Sequence, residues 1–353
     1  MTPPDPGSKR LRFGAGLLGH YSRAYPVSRV AELGALCERL GFDSYWVADQ
    51  RWMRDVWVSL TATATRTSRI LLGTRVTDPY VRHPALTAVA VASLDEMSGG
   101  RAILGLGAGG SGFREMGIER KKPVTALREA IELIRRLLAG EEVDYRGEFV
   151  RFGRGTLEFQ TRRDIPVVIV ARGPKILELG GRVADGVMIA SMASPDAVAW
   201  GVRHVRAGME RAGRPAEAVE LSSMVYTSIS NDGPAARWIV RRGIAAALMG
   251  SFPNYEFLTA SGLTVPPELW KLLEAGKPDY PRVMAAMPDI FVDHLGLAGT
   301  PAQCAAQIER IVASGIQHVV LAPLPVDELH VESVIEPFAR EVIPRVRAAG
   351  IAV

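Results

Sequence analysis

Eight short apolar segments, separated mostly by segments of helical periodicity, constrain the fold of this chain more than any other feature. Parallel strands that are buried on both faces have this continuously apolar character, whereas half-exposed strands alternate between apolar and polar residues. Eight alternating β/α units in 353 residues favour a closed (β/α)8 TIM barrel of the α/β class, with an open Rossmann-type sheet as the alternative. The predicted strands lie at residues 12–17, 44–48, 70–76, 101–106, 166–171, 186–190, 219–230 and 318–322.

Two segments interrupt the alternation, and we expect both to be excursions from a single barrel domain over residues 11–353. Residues 142–160 contain two short strand-like runs around Arg146 and Gly147, which predict a β-hairpin. Residues 234–295 have helical periodicity but many Pro, Gly and aromatic residues, which predict a helical insertion. Residues 1–10 have no apolar segment of the signal-peptide type, and we expect a short disordered lead there.

The charge and composition of the chain limit the kinds of molecule that it is expected to bind. The net charge is +4, but the basic residues are interspersed with acidic ones, which argues against a nucleic-acid partner and suits an anionic small molecule. No run of 18 or more apolar residues occurs, so no membrane partner is predicted. The two cysteines lie in helical patterns and are expected to be buried thiols of a cytoplasmic protein.

Motifs of several enzyme classes are missing from the sequence. The six histidines and two cysteines have no zinc-type spacing, so no metal site is predicted. The sequence also has no Walker motif, no HExxH motif and no GxSxG elbow, which argues against a hydrolase.

Polar residues gather directly after the predicted strands, where the loops of a parallel barrel form the mouth that carries the active site. The stretch "LLGTRVTDPYVRHP" changes within a few residues from an apolar strand to a polar cluster, and we interpret this cluster as part of the rim of the mouth. The candidates that follow the first five strands are His20 and Tyr21; Asp49, Gln50 and Asp55; Thr77, Asp78 and His83; Gly107, Ala108 and Gly109; and Arg172, Gly173, Pro174 and Lys175.

Two of these loops have features of anion binding. The glycine-rich "GLGAGGSG" lets backbone amides approach a ligand, but it follows the fourth strand and not the first, which disfavours a nicotinamide-binding Rossmann site. In "ARGPKILELGG", Arg172 and Lys175 flank the start of a predicted helix. Free amides, the helix dipole and two cations together predict a phosphate site, although Pro174 also has a purely structural use there.

Four stretches together carry a family resemblance. They are "GFDSYWVADQRWMRDVWVSL", "LGTRVTDPYVRHPALTA", "SGGRAILGLGAGGSGFREMGIERKKP" and "IPVVIVARGPKILELGGRVADGV". These stretches are similar to those of the bacterial luciferase-like flavin and deazaflavin oxidoreductases, and most similar to the coenzyme F420-dependent branch, which includes methylenetetrahydromethanopterin reductases and phthiodiolone ketoreductases. The resemblance extends over roughly residues 11–350 and is weakest in residues 220–290.

The resemblance implies a luciferase-like barrel with coenzyme F420 bound at the mouth. It also implies a non-prolyl cis peptide between Arg75 and Val76, directly after Thr74, in a bulge that backs the deazaflavin ring. The remaining cofactor contacts that it implies are Asp49 and Gln50 after the second strand, Thr77 and Asp78 after the bulge, Gly107, Ala108 and Gly109 beside the ring, and Arg172, Gly173, Pro174 and Lys175 at the phosphate.

Several positions depart from the family pattern. Gln50 stands where several relatives have a histidine that serves as base, and glycines stand at Gly16 and Gly110, where relatives place carboxylates. The acid–base set for methylenetetrahydromethanopterin reduction or for sugar-phosphate oxidation is therefore not visible in the sequence. The candidates for a proton donor are His20, Tyr21, Asp55 and His83. Each has a structural alternative; Asp55, for example, also suits a helix cap.

We therefore expect hydride transfer between coenzyme F420 and a small organic substrate, namely a carbonyl, an imine or an activated alkene. The first alternative is a monooxygenase on the same fold that uses FMN and a partner reductase. The second alternative is a non-catalytic flavin-binding paralogue. The family resemblance also implies a homodimer or a homotetramer.

Overall fold

Eight parallel strands close into a barrel in the computed structural model, which describes residues 10–18, 24–110, 112–275 and 279–350. Around the barrel the order is β1, β2, β3, β4, β7, β8, β9, β11, and β11 pairs with β1 to complete the circle. This confirms the predicted (β/α)8 barrel and excludes the open sheet. The strands are β1 Arg12–Leu17, β2 Ser44–Val47, β3 Leu71–Thr74, β4 Ala102–Leu106, β5 Val143–Arg146, β6 Arg151–Gly155, β7 Val167–Ala171, β8 Gly186–Ala190, β9 Glu220–Ile229, β10 Gly296–Gly299 and β11 His318–Pro323.

Helices surround the barrel and connect its strands. Several begin with proline in their first turn, where the missing amide hydrogen has no intrahelical acceptor to lose. The α-helices are α1 Val27–Arg39, α2 Val56–Ala64, α3 Pro84–Ser98, α4 Pro123–Leu138, α5 Pro174–Val183, α6 Pro195–Arg211, α7 Gly233–Ser251, α8 Glu256–Thr259, α9 Pro267–Glu274, α10 Tyr280–Ala286, α11 Ile290–Leu295, α12 Pro301–Val312, α13 Glu332–Pro337 and α14 Ile343–Ala348.

The hairpin of β5 and β6 occupies the predicted excursion and is held by one buried carboxylate. Glu129 of α4 accepts hydrogen bonds from the backbone amides of Glu148, Phe149 and Val150, at 3.0, 2.8 and 2.9 Å. These three bonds hold the Glu129 carboxylate in its charged form and lower its pKa against the opposing effect of burial. The hairpin is thereby fixed to the helix that follows the glycine loop.

The segment predicted to be a helical insertion contains α7 to α11 and is followed by a strand that the sequence does not reveal. The strand β10 pairs in parallel with the second half of β9, from Tyr226 to Ile229. The first half of β9 pairs with β8 on the same side, so β10 continues where β8 ends. Its sequence, Gly-Leu-Ala-Gly, has none of the β-branched or aromatic residues that mark a strand.

One large side chain fills the barrel interior where two strands carry glycine. A Cβ atom on Gly73 would lie 2.2 Å from Cε3 of Trp46, and a Cβ atom on Gly105 would lie 1.9 Å from the carbonyl oxygen of Thr74. Trp46 is fully buried and donates a hydrogen bond from Nε1 to Oγ of Ser44 at 2.7 Å. The indole therefore occupies the space that a side chain on Gly73 would take, whereas Gly105 is required by the close approach of the Thr74 carbonyl group.

Polar side chains at the amino ends of the strands form a closed network. His318 Nε2 lies 2.9 Å from Ser44 Oγ, and His318 Nδ1 lies 3.1 Å from a carboxylate oxygen of Glu220, which also pairs with Arg12. Because the carboxylate of Glu220 can only accept, Nδ1 of the neutral imidazole carries the proton and donates to it, and the unprotonated Nε2 accepts from the hydroxyl of Ser44. Burial, reinforced by the charge of Arg12, lowers the pKa of His318 to about 3.

Two further observations concern the described ranges only. No helix in them has the length and apolar character needed to cross a membrane. No group of three or more His, Cys, Asp or Glu side chains in them is arranged as a set of metal ligands. Cys37 and Cys304 are free and buried, as predicted, and burial raises the pKa of both thiols.

Candidate active site

A cavity of about 600 Å³ opens at the carboxyl ends of the barrel strands. Its walls come from the loops after β2, β3, β4 and β7, from the ends of β8 and β9, and from α7 and the segment after it. The structure brings together there most of the residues predicted to contact a cofactor, namely Asp49, Gln50, Arg75, Val76, Asp78, Ala108, Gly109, Arg172, Gly173, Pro174 and Lys175. Thr74, Thr77 and Gly107 do not line the cavity but lie next in the chain to residues that do.

The peptide bond between Arg75 and Val76 is cis, as the family resemblance implied. The strand β3 ends just before it, two residues short of the predicted strand. Around the bond, Thr74 Oγ1 donates to the carbonyl oxygen of Gly105 at 2.8 Å, and the amide of Thr77 donates to the same oxygen at 3.1 Å. The segment after β3 is thereby fixed to β4, and Arg75 and Val76 both line the cavity.

The glycine loop after β4 lies directly against this segment. A Cβ atom on Gly107 would lie 2.7 Å from Cγ2 of Val76. Gly109 has a φ of +61°, and a Cβ atom on it would lie 2.7 Å from Cγ of Asp78. Side chains at these two positions would push the loop away from β3, so the glycines keep this wall of the cavity close to the bulge.

An arginine that the sequence did not single out connects two predicted residues. Arg51 Nη1 donates to Oδ1 of Asp49 at 2.8 Å and to its carbonyl oxygen at 3.0 Å, while Nη2 donates to Oδ2 of Asp78. The other oxygen of Asp78 accepts from the amides of Tyr80 and Val81. Burial raises the pKa of Asp49, and the charge of Arg51 opposes this shift. The only sequence feature that pointed to Arg51 is its position two residues after Asp49, in the loop that follows a strand.

The predicted phosphate loop begins α5 at the opposite wall. Gly173 is the N-cap, Pro174 the first helical residue, and the side chain of Lys175 is exposed. Arg172 donates from Nε to Ser251 Oγ at 3.0 Å and from Nη1 to Ser191 Oγ at 3.2 Å, which ties the loop to α7 and β8.

Two of the four predicted proton donors, Asp55 and His83, lie outside the cavity lining. Asp55 caps α2 by accepting from the amides of Trp57 and Val58, and His83 caps α3 by accepting from the amide of Ala85 at Nδ1. The proton of His83 is then on Nε2, which donates to the carbonyl oxygen of Arg151 at 2.9 Å. His20 and Tyr21 fall outside the described residues.

Much of the remaining lining comes from chain segments without a recognisable motif. The insertion contributes small and polar residues from α7 and the segment after it, and β9 contributes its inward side chains. No spacing rule connects these segments to the mouth in the sequence, because only closure of the barrel brings them there. These unpredicted lining residues include Arg120, Met224, Tyr226, Ala247, Ser251, Asn254 and Phe257.

Buried polar atoms around the cavity lack partners, which tests whether a ligand fits it. Among the described residues, three such atoms are Nε of Arg51 and Nε and Nη1 of Arg75. Folded proteins pair nearly all buried polar groups, so these atoms are suited to a polar ligand. The described lining also carries more positive than negative groups, which suits an anionic ligand. Its charged residues are Arg51, Arg75, Arg120, Arg172 and Lys175 against Asp49, Asp78 and Glu256.

A closed parallel barrel with a cationic cavity and a glycine loop at the carboxyl ends of its strands has the architecture of a cofactor-binding barrel enzyme. The family model described as luciferase-like monooxygenase matches residues 12–318. The chain belongs to this family, and the predicted resemblance is confirmed.

Characterised relatives narrow the branch of the family. The chain is 37% identical over 297 residues to a 5,10-methylenetetrahydromethanopterin reductase of Methanolobus tindarius, covering 84% of this chain and 90% of the relative. It is 29% identical to an F420-dependent glucose-6-phosphate dehydrogenase of Nakamurella multipartita, covering 99% and 98%. The solved structure of the coenzyme F420-dependent tetrahydromethanopterin reductase of Methanopyrus kandleri superposes with a TM-score of 0.83 at 30% identity, covering 96% and 99%. The prediction of an oxidoreductase is confirmed.

Proposed function

We propose that the protein is a coenzyme F420-dependent oxidoreductase that transfers a hydride between the deazaflavin and a small organic substrate, namely a carbonyl, an imine or an activated alkene. The observation that carries the proposal is the convergence of the predicted cofactor residues, from four separate loops, on a single cavity with orphaned polar atoms. The names of the relatives support the choice of deazaflavin.

The residues present fit each part of such a cofactor. The amides of the first turn of α5, together with Arg172 and Lys175, provide donors and positive charge for a phosphate. The backbone at Arg75 and Val76 and the glycine loop at Gly107–Gly109 provide a close, side-chain-poor wall for a flat ring. When bound, the deazaflavin supplies the hydride carrier, and the protein contributes orientation, charge and a proton.

The proton for a carbonyl substrate comes, in this proposal, from His20 or Tyr21. Both follow β1 directly in the sequence, and Leu18 at the end of that strand lines the cavity. Asp55 and His83 are weaker candidates because their side chains are used in helix caps. We expect His20→Ala or Tyr21→Phe to lower turnover by at least tenfold while the affinity for coenzyme F420 is kept.

Titration of the purified protein with coenzyme F420 and, separately, with FMN tests the proposal. We expect quenching of deazaflavin fluorescence with a Kd at least tenfold below that for FMN. Tight FMN binding without deazaflavin binding would contradict the proposal and favour the monooxygenase alternative. If coenzyme F420 binds but no carbonyl, imine or alkene oxidises its reduced form, the non-catalytic alternative gains.

We further propose that the protein forms a homodimer or homotetramer in the cytoplasm. The outer faces of helices α2 and α3 expose four apolar side chains, at Val58, Leu86, Val89 and Met97, beside the polar Thr61, Ser93 and Glu96. Scattered exposed apolar residues are common, but four on two adjacent helices favour a covered surface. Light scattering of the wild type and of Leu86→Glu tests this: a dimer or tetramer is expected for the first and a smaller species for the second.

A further inference from the structure

Arg75 is a buried cation without a protein counter-ion among the described residues. Its side chain is 7% exposed, lies at the cavity, and makes one long hydrogen bond, from Nη2 to the carbonyl oxygen of Leu17 at 3.4 Å. Nε and Nη1 have no partner. Desolvation lowers the pKa of Arg75 to about 10, so the guanidinium stays charged at neutral pH.

Two of the three carboxylates that line the cavity are paired with another arginine, and the third, Glu256, forms no ion pair with Arg75. Asp49 and Asp78 are both bonded to Arg51, on the side of the cavity formed by the loops after β2 and β3. No ion pair within 4 Å joins Arg75 to any carboxylate in the described part of the chain, whereas Arg51 has two such pairs. A buried, unpaired charge is strongly unfavourable unless something compensates it. The described residues therefore do not supply the group that compensates Arg75, and a ligand of the cavity that Arg75 lines is the candidate.

The inward face of β1 carries no side chain beside Arg75, and the guanidinium occupies the space next to Gly16. A Cβ atom on Gly16 would lie 3.0 Å from Cζ, 3.1 Å from Nε and 3.2 Å from Nη1 of Arg75. A carboxylate side chain on this strand would meet the guanidinium and neutralise it. Glycine at this position therefore makes space for the guanidinium and provides no side-chain acceptor for Nε and Nη1, the two nitrogens that lie beside it.

We propose that Arg75 is the specificity-determining residue of the substrate pocket and that the substrate carries an anionic group, a carboxylate or a phosphate, which binds to the guanidinium of Arg75. The assignment to the substrate rests on the proposed function. The phosphate of a deazaflavin has its own donors at Arg172, Lys175 and the start of α5, on a different strand end. A planar guanidinium with two free donors matches the geometry of a carboxylate or phosphate.

Thermal unfolding at constant ionic strength tests the binding step without the cofactor. The probes are benzoate, its neutral isostere benzamide, and inorganic phosphate. We expect benzoate or phosphate, but not benzamide, to raise the Tm of the wild type. The better of the two anions identifies the kind of group. In Arg75→Met the concentration needed for the same rise increases by roughly 10- to 100-fold, as for the loss of a hydrogen bond to a charged group.

Two further variants provide the controls. Arg101→Met removes another buried arginine, one that lies away from the cavity, and should keep the response to the anion. Gly16→Glu keeps Arg75 but supplies a carboxylate beside it, and should abolish the response even if Arg75→Met does not fold. Wild-type protein that responds equally to benzamide and to both anions, or an Arg75→Met variant that responds as the wild type does, would overturn the proposal.

Titration with coenzyme F420 separates this proposal from the one on which it rests. The ring wall proposed at this position is made by the backbone of Arg75, which Arg75→Met keeps, and the proposed phosphate donors lie at Arg172, Lys175 and the start of α5. We therefore expect Arg75→Met to bind coenzyme F420 within about threefold of the wild type. If Arg75→Met loses tenfold or more of its affinity for coenzyme F420 but its Tm still rises with the anions as in the wild type, then Arg75 binds the cofactor and the proposal is overturned. If the wild type binds no coenzyme F420, the proposed function fails, while the anion experiment still decides whether Arg75 binds an anion.

Discussion

Arg101 and Arg75 lie at opposite ends of the barrel, and both are buried. Arg101, before β4 at the amino end, makes five hydrogen bonds of 2.7 to 3.2 Å to Ser98, Thr67, Ile70 and Ala64. Arg75, after β3 at the carboxyl end, makes a single bond of 3.4 Å. The buried arginine at the amino end is therefore satisfied by the protein, whereas the one at the carboxyl end has two donors without a partner among the described residues.

The largest effect is expected when each of the two arginines is replaced by methionine and the stability of the ligand-free protein is measured. Arg101→Met leaves four residues with unpaired oxygen acceptors, and we expect the free energy of unfolding to fall by about 3–5 kcal/mol. Arg75→Met removes an uncompensated charge, and we expect stability to be unchanged or to rise by about 1 kcal/mol. Urea unfolding measures both. Equal losses in the two variants would mean that the mouth is as internally satisfied as the amino end.

Two glycines with positive φ, one at each end of the barrel, provide a second comparison with a smaller expected effect on stability. Gly109 has a φ of +61° and Gly41, between α1 and β2, has a φ of +82°, but a Cβ atom would have neighbours within 4 Å only at Gly109. We expect Gly109→Ala to lower stability by about 2 kcal/mol and to weaken coenzyme F420 binding, because Asp78 must move. Gly41→Ala should lower stability by about 1 kcal/mol without an effect on the cofactor. Unchanged cofactor affinity in Gly109→Ala would argue against the glycine loop as a ring contact.

The network at the amino end predicts a pH dependence of stability. The pKa of His318 is lowered from 6.5 to about 3, so the unfolded chain binds a proton below pH 6.5 that the folded chain does not. Stability from this group is present above pH 6.5 and is lost as the pH falls. Between pH 6.5 and pH 5 the loss is about 1.5 kcal/mol. Unfolding of His318→Gln over this range should show a flatter dependence, and the same slope as the wild type would contradict the assignment.

The smallest effect is expected at the exposed lysine of the phosphate loop. Lys175→Gln removes one charge near the proposed phosphate, and we expect the affinity for coenzyme F420 to fall by about 1 kcal/mol, roughly fivefold. The affinity for a deazaflavin without phosphate should not change. Lys271→Gln, on α9, is a matched control because Lys271 does not line the cavity. An equal loss of affinity for the deazaflavins with and without phosphate would indicate that the phosphate binds at another position.

The sequence predicts the barrel and the position of its mouth well because both follow from local patterns. Continuous apolar runs give the eight barrel strands, and polar residues directly after them give Asp49, Asp78 and Lys175 as lining residues. The same rule also selects Asp55 and His83, whose side chains bind amides of their own helices. A polar residue after a strand is thus equally suited to a site and to a cap.

Other features depend on distant parts of the chain that meet only after closure. The guanidinium of Arg75 lies against Gly16, 59 positions earlier in the chain, and the pairing of Arg51 with Asp78 spans 27 positions. The strand β10 is fixed by its pairing with β9 and not by its own residues. Neither periodicity nor local motifs contain this information.

The glycine at position 16 has an evolutionary consequence. Codons for glycine and for the acidic residues differ at a single base, and a carboxylate there would meet the guanidinium of Arg75 at contact distance. One point mutation would therefore turn an open charge into an internal pair and retune which acceptors the barrel admits. In a barrel with the acidic residue, the guanidinium would shift to admit the new side chain and would no longer be available to the proposed anionic substrate.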